Sequence, residues 1–93
     1  MVIGLLRLEF FLPYARSLKD KRMFLQGLKD RLRGRFNVAV AELEFQDKWQ
    51  RAAVGLVTVN ERRAVVERLL EAVRREIEAT AEAEIVGSRV EYL

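Results

Sequence analysis

The alternation of hydrophobic and polar positions divides the chain into six segments. From Val2 to Leu12 the period is two: Leu6, Leu8 and Phe10 share one face, while Leu5, Arg7, Glu9 and Phe11 share the other. That is the pattern of a strand with one apolar and one half-polar face. Pro13 ends it, because proline cannot donate to a ladder. After a short loop, Pro13 to Arg16, the period lengthens. Leu18, Leu25, Leu28 and Leu32 then gather on one stripe with Phe24 at its edge, which predicts an amphipathic helix to about Arg33. Ser17 is the expected N-cap, with Asp20 as a shortened capping box, and Gly34 is the expected stop.

Period two returns over Phe36 to Phe45, with Ala39, Ala41, Leu43 and Phe45 on one side and Val38, Val40, Glu42 and Glu44 on the other. The polar run Gln46-Asp47-Lys48-Trp49-Gln50 links it to a nearly all-apolar strand, Arg51 to Val59, as a hairpin would. Asn60 is read as the cap of a second helix, Glu61 to about Thr80, buried through Val66, Leu69, Leu70, Val73 and Ile77. Its outer face pairs Arg63 with Glu67, Glu71 with Arg75, and Arg74 with Glu78 at i,i+4 spacing, a solvated and self-neutralising surface. A last strand runs from about Glu82 to Tyr92. The order β-α-β-β-α-β over one domain, residues 1–93, predicts an α+β ferredoxin-like sandwich. Two helices would cover one face of a four-stranded antiparallel sheet of order 4-1-3-2, leaving the other face bare.

Composition narrows the chemistry. A chain of 93 residues, 51% hydrophobic and 33% charged, is globular and can bury roughly 60–65% of its unfolded surface. Without Cys or His it has no thiol nucleophile, disulfide, Cys/His zinc site or imidazole base. No Asp/Glu cluster has metal-loop spacing, and no cofactor motif is present, so neither a metal nor a cofactor is expected. The apolar start, Met1 to Leu6, runs into Arg7 and Glu9 without the marks of a signal peptide, and no apolar run reaches membrane-spanning length. A cytoplasmic protein is expected. Thirteen Arg against four Lys, with two Asn, fits a thermophile or a GC-rich genome.

Charge is concentrated in one place. Arg16 to Arg35 holds eight basic and two acidic residues, a net +6, whereas the whole chain is +3 and the remainder therefore −3. On the helical wheel Lys19, Arg22, Gln26, Lys29 and Arg33 fall within a sector of about 80°, a ridge on the order of 20 Å long. Such a ridge can follow a phosphate backbone. Alternatively, its Lys and Arg stems simply flank the apolar stripe and cover it. Lys19, Lys21 and Arg22 sit in the first turn, where the helix dipole disfavours cations; with Arg16, Ser17 and the free backbone N–H groups they would form a pocket for a phosphate or another anion. Met23, Gly27 and Gly34 line the outward side of the helix, where Gly27 leaves a flat place for an approaching group.

The hairpin tip is the second candidate. Trp49 among Gln46, Asp47, Lys48, Gln50 and Arg51 suits base stacking or a protein contact, unless it folds back over the end of the sheet. Sheet-face RNA stacking is not expected, because the strand RAAVGLVTV has no aromatic residue and the open face carries Glu9, Glu42 and Glu44. That apolar-acidic face suits self-association better, or is partly covered by the chain's own tail. Acylphosphatases share this topology and hold phosphate in the loop after the first strand. Here that loop, Leu12 to Ser17, has an Arg but no glycine-rich cradle.

Three stretches, LPYARSLKDKR (Leu12–Arg22), RFNVAVAE (Arg35–Glu42) and QDKWQRA (Gln46–Ala52), resemble the YlxP-like family of small bacterial proteins, a domain of unknown function. The resemblance covers essentially the full length and implies a ferredoxin-like fold. Family members are often encoded beside transcription and translation factors and a ribosome-maturation factor, which implies association with RNA or the ribosome. It supplies no catalytic residues. Two functions are therefore expected of the chain. One is a non-catalytic RNA- or ribosome-associated protein using Arg16, Ser17, Lys19, Lys21, Arg22, Lys29 and Arg33 with the 46–51 tip. The other is a protein-interaction module, a homodimer or a docking domain, using the open sheet face and Trp49.

Overall fold

A computed structural model of the chain describes residues 1–80 and 82–93. The elements are β1 (Val2–Phe11), α1 (Leu18–Arg35), β2 (Ala39–Glu44), β3 (Arg51–Asn60), α2 (Arg63–Thr80) and β4 (Glu84–Tyr92). They form one antiparallel sheet in the order β2-β3-β1-β4, the expected order read from the other edge. Both helices lie on one face. Leu6, Leu8 and Phe10 of β1 and Val54 and Leu56 of β3 meet Leu25, Leu28 and Leu32 of α1 and Val66, Leu70, Val73 and Ile77 of α2 in a single core. The edge of Phe24 packs on Phe10, with ring centroids 5.9 Å apart.

Gly4 lets α2 settle onto β1. A Cβ there would run into the Val66 side chain and sit 2.9 Å from Leu70 Cδ1, so only glycine allows this approach. The buried hydroxyl of Thr58 donates to the Asn37 carbonyl at 2.8 Å, which satisfies it inside the core.

Element boundaries differ from expectation by two or three residues at four places. Gly34 does not stop α1: the helix continues to Arg35, and extended Phe36 ends it while its N–H still reaches the Leu32 carbonyl at 2.8 Å. Phe36 packs against the core, so burial of its ring rather than glycine geometry sets the exit. Residues 36–38 form the connection, and β2 begins at Ala39. Asn60 does not cap α2 directly; its side-chain oxygen accepts the Arg62 N–H at 3.0 Å, and the helix begins at Arg63. β4 begins at Glu84.

The largest departure is a register shift in β2 between Glu42 and Glu44. Up to Glu42 the strand alternates regularly, with Val40 buried under α1, so Glu42 lies on the helix side and not on the open face where the sequence alone places it. The bulge then turns Glu44 to the open face, where it meets Arg7, while Glu42 stays on the helix side. Phe45 follows with φ at 66°, the left-handed region that disfavours a bulky residue. Two contacts offset that strain. The Phe45 carbonyl accepts from Lys21 Nζ at 2.6 Å, and the Arg51 guanidinium lies 4.1 Å from its ring centroid.

Candidate nucleic-acid interface

The basic ridge forms on α1 and faces the edge of the sheet bordered by β2. Arg33 marks that direction, because its guanidinium donates to the Val40 carbonyl at 3.0 Å. Lys19, Arg22 and Gln26 are exposed and Lys29 is half-buried along the same edge. Arg16, Lys19, Arg22 and Lys29 have no acidic partner among the described residues. On α2 the expected pairs all form, Arg63–Glu67 at 2.9 Å, Arg74–Glu78 at 2.7 Å and Arg75–Glu71 at 3.3 Å. α2 therefore pairs three of its four arginines within a turn, Arg68 excepted, whereas α1 leaves a row of cations uncompensated.

Lys21 does not belong to that row. It is 1% exposed, and its Nζ lies 2.9 Å from Glu42 Oε2, 2.6 Å from the Phe45 carbonyl and 3.3 Å from the Arg51 carbonyl. A signal for this was present in the sequence: Lys21 is three residues after Leu18 and four before Leu25, on the buried stripe rather than on the ridge. The expected anion pocket at the start of α1 is also changed. Ser17 Oγ accepts the Asp20 N–H at 3.1 Å, and Asp20 Oδ2 accepts the Arg16 N–H at 2.9 Å. The helix start holds its own carboxylate where an anion was expected, and Asp20 gives the first turn the charge its dipole favours.

The hairpin tip rises beside the first turns of α1, drawn there by Lys21. Trp49 is 44% exposed, and Gln46, Asp47 and Lys48 are exposed. Gln50 and Arg51 have structural duties. The Gln50 side-chain N–H donates to the Pro13 and Ala15 carbonyls at 3.4 Å each, and the Gln50 backbone carbonyl accepts the Leu12 N–H at 2.8 Å. Arg51 stacks on Phe45 and lies 3.6 Å from Glu9. The two stretches singled out in the sequence are thus adjacent, with Lys48 and Trp49 free to reach outwards from the tip.

The outward strip of α1 borders a cleft. Leu12, Tyr14, Met23, Phe24 and Ala83 surround about 460 Å³ beside the first half of the helix, with Asp20 and Glu82 at its rim. Gly27 lies on the continuation of the cleft, and a Cβ there would meet nothing within 4 Å.

The bare sheet face has an ionic centre. Arg7 donates to Glu9 at 2.8 Å and to Glu44 at 3.0 Å. The hydrogen bond from Arg7, against a smaller effect of burial, holds the Glu9 carboxyl below the ordinary carboxylate range. Among the described residues, no three Asp or Glu side chains converge to hold a metal ion, and no helix is long and apolar enough to cross a membrane.

Fold and surface together define a ferredoxin-like α+β domain with a cationic helix edge. A solved structure of the de novo designed protein Ferredog-Diesel superposes on 96% of this chain and 83% of its own, with a TM-score of 0.50 and 18% identity, a likeness of fold alone. A family described as "Protein of unknown function (DUF503)" matches residues 3–90, and the chain belongs to it. The "Uncharacterized protein YlxP" of Bacillus subtilis (strain 168) is 34% identical over 91 residues, covering 98% of this chain and 99% of that protein.

Proposed function

We propose that this protein binds RNA, free or within a ribosomal particle, and carries out no reaction on it. The row of cations without acidic partners at Arg16 and along α1, set against the three arginines paired along α2, carries this reading. Arg16, Lys19, Arg22 and Lys29 would lie along the phosphate backbone, with Arg33 at the far end partly engaged by Val40. Lys48 and Trp49 would contact the nucleic acid at the near end, the indole stacking on an unpaired base. Lys21 serves as a positioning residue, because it holds the tip against the helix.

Fluorescence anisotropy with labelled single-stranded and hairpin RNA tests the proposal. Arg22→Glu/Lys29→Glu should weaken binding at least tenfold at 100 mM salt while the circular dichroism spectrum is retained. Equal binding by the double variant would overturn the ridge. A lysate pull-down with and without nuclease separates free RNA from ribosomal particles as the source.

A further inference from the structure

We infer that the bare sheet face is the interface of a two-fold homodimer, in which the sheets of two copies pack face to face. Charge sets this face apart from the α1 edge of the molecule. By register Arg7, Arg51 and Arg89 share it with Glu9, Glu44, Glu84 and Glu91, so it lies within one charge of neutral beside a strongly cationic helix edge. A polyanion gains nothing there, and neither does a strongly charged protein. A second copy brings the same near-neutral set, with equal opportunity to pair.

The apolar part has the right place and size. Ile3 stands opposite Val59 and Leu5 opposite Val57, at the end of the sheet away from the hairpin tip. Val57 and Val59 are exposed, and Leu43 is exposed over Gly55, where a Cβ would be 2.9 Å from its Cδ1. Strands of ten, ten, nine and six residues span roughly 33 Å by 19 Å, or about 600 Å² before side-chain relief is counted. Relief brings this towards the ~800 Å² per partner of a standard stable interface.

A two-fold axis running along the strands between β1 and β3 keeps the apolar end over the apolar end. Val57 and Val59 of one copy then lie against the partner's Leu5 and Ile3. The sheets would be ~10 Å apart and crossed by about 30°. Both cationic helix edges remain on the outside of the pair.

Light scattering and sedimentation of the full chain between 1 and 200 µM are the test. The expected mass is twice that of the 10.8 kDa chain. Val57→Glu should return the chain to monomer mass with its circular dichroism intact and raise the dimer Kd at least tenfold; Ala39→Glu, on the exposed edge strand of the same face, should do likewise. Met23→Glu, on the helix side, should leave the dimer unchanged. A monomer at 200 µM overturns the inference, and so does dissociation by Met23→Glu with none by Val57→Glu and Ala39→Glu. The RNA reading stands or falls separately, since per-chain RNA affinity of Val57→Glu should equal that of the parent.

Discussion

Lys21 and Glu42 form an ion pair of 2.9 Å beneath the β2–β3 hairpin, joining α1 to an edge strand 21 residues further along the chain. The lysine is fully enclosed, and the Phe45 and Arg51 carbonyls take up further hydrogens of its ammonium group. A buried ammonium is tolerable only where a counter-charge and hydrogen-bond acceptors surround it, here Glu42 and the two carbonyls. The pair thereby specifies where the hairpin tip stands relative to the helix.

Removal of one partner should be severe. Lys21→Ala leaves Glu42 half-buried without its counter-ion and is expected to lower stability by about 3–5 kcal/mol, read from urea or thermal denaturation. Lys21→Met/Glu42→Leu should recover most of that loss, since two apolar groups of similar size leave no charge behind. Equal losses in the single and double variants would show that the two residues act independently.

Glu9 should make stability depend on acid. Its carboxyl titrates lower in the folded chain than its ordinary 4.5, because Arg7 donates to the charged form. The contribution is therefore fully present above the unfolded value and is lost as the pH falls through the lower folded one. Thermal midpoints of the parent should decline from about pH 5 downwards, and Glu9→Gln should flatten that part of the profile. An identical decline in Glu9→Gln would assign the acid sensitivity to other carboxylates.

Two glycines should respond to alanine in opposite directions. Gly4→Ala places a methyl group into Val66 and Leu70 and should destabilise by about 1–3 kcal/mol through overpacking. Gly27→Ala meets open space on a helix and should stabilise by up to about 1 kcal/mol. If Gly27→Ala weakens RNA binding while raising the melting temperature, the outward strip of α1 belongs to the interface as well.

Salt and the single indole separate the parts of the proposed interface. With about four phosphates neutralised, log affinity should fall against log salt with a slope of roughly −3 to −4. Trp49→Ala should lower affinity by about 1–3 kcal/mol for single-stranded RNA with the slope unchanged, because stacking releases no counterions. Trp49 is the only tryptophan, so quenching of its fluorescence on titration reports the contact directly.

Much of the fold was legible in the sequence because it depends on periodicity. The period-two and period-3.6 stretches located all six elements, and the i,i+4 charges of α2 pair as their spacing implies. What was not legible depends on single backbone events. Nothing in AELEF announces the bulge that turns Glu44 outwards while Glu42 keeps the inward side of Val40, because the preceding residues alternate perfectly. Gly34 looked like a helix stop, but a helix ends where its next side chain can be buried, and here that is Phe36.

By itself the sequence determined the βαββαβ order, the apolar core stripe, the concentration of positive charge on α1 and the exclusion of thiol and imidazole chemistry. These follow from local spacing and composition, which the chain carries without folding. Only the tertiary structure decided which cations remain available. Lys21 is withdrawn by Glu42, Arg33 is partly engaged by Val40, and Asp20 occupies the helix start, while Arg16, Lys19, Arg22 and Lys29 keep no acidic partner among the described residues. The physical reason is that a charge is neutralised by what lies within a few ångströms in space. For Lys21 those neighbours come from a hairpin more than twenty residues away in sequence.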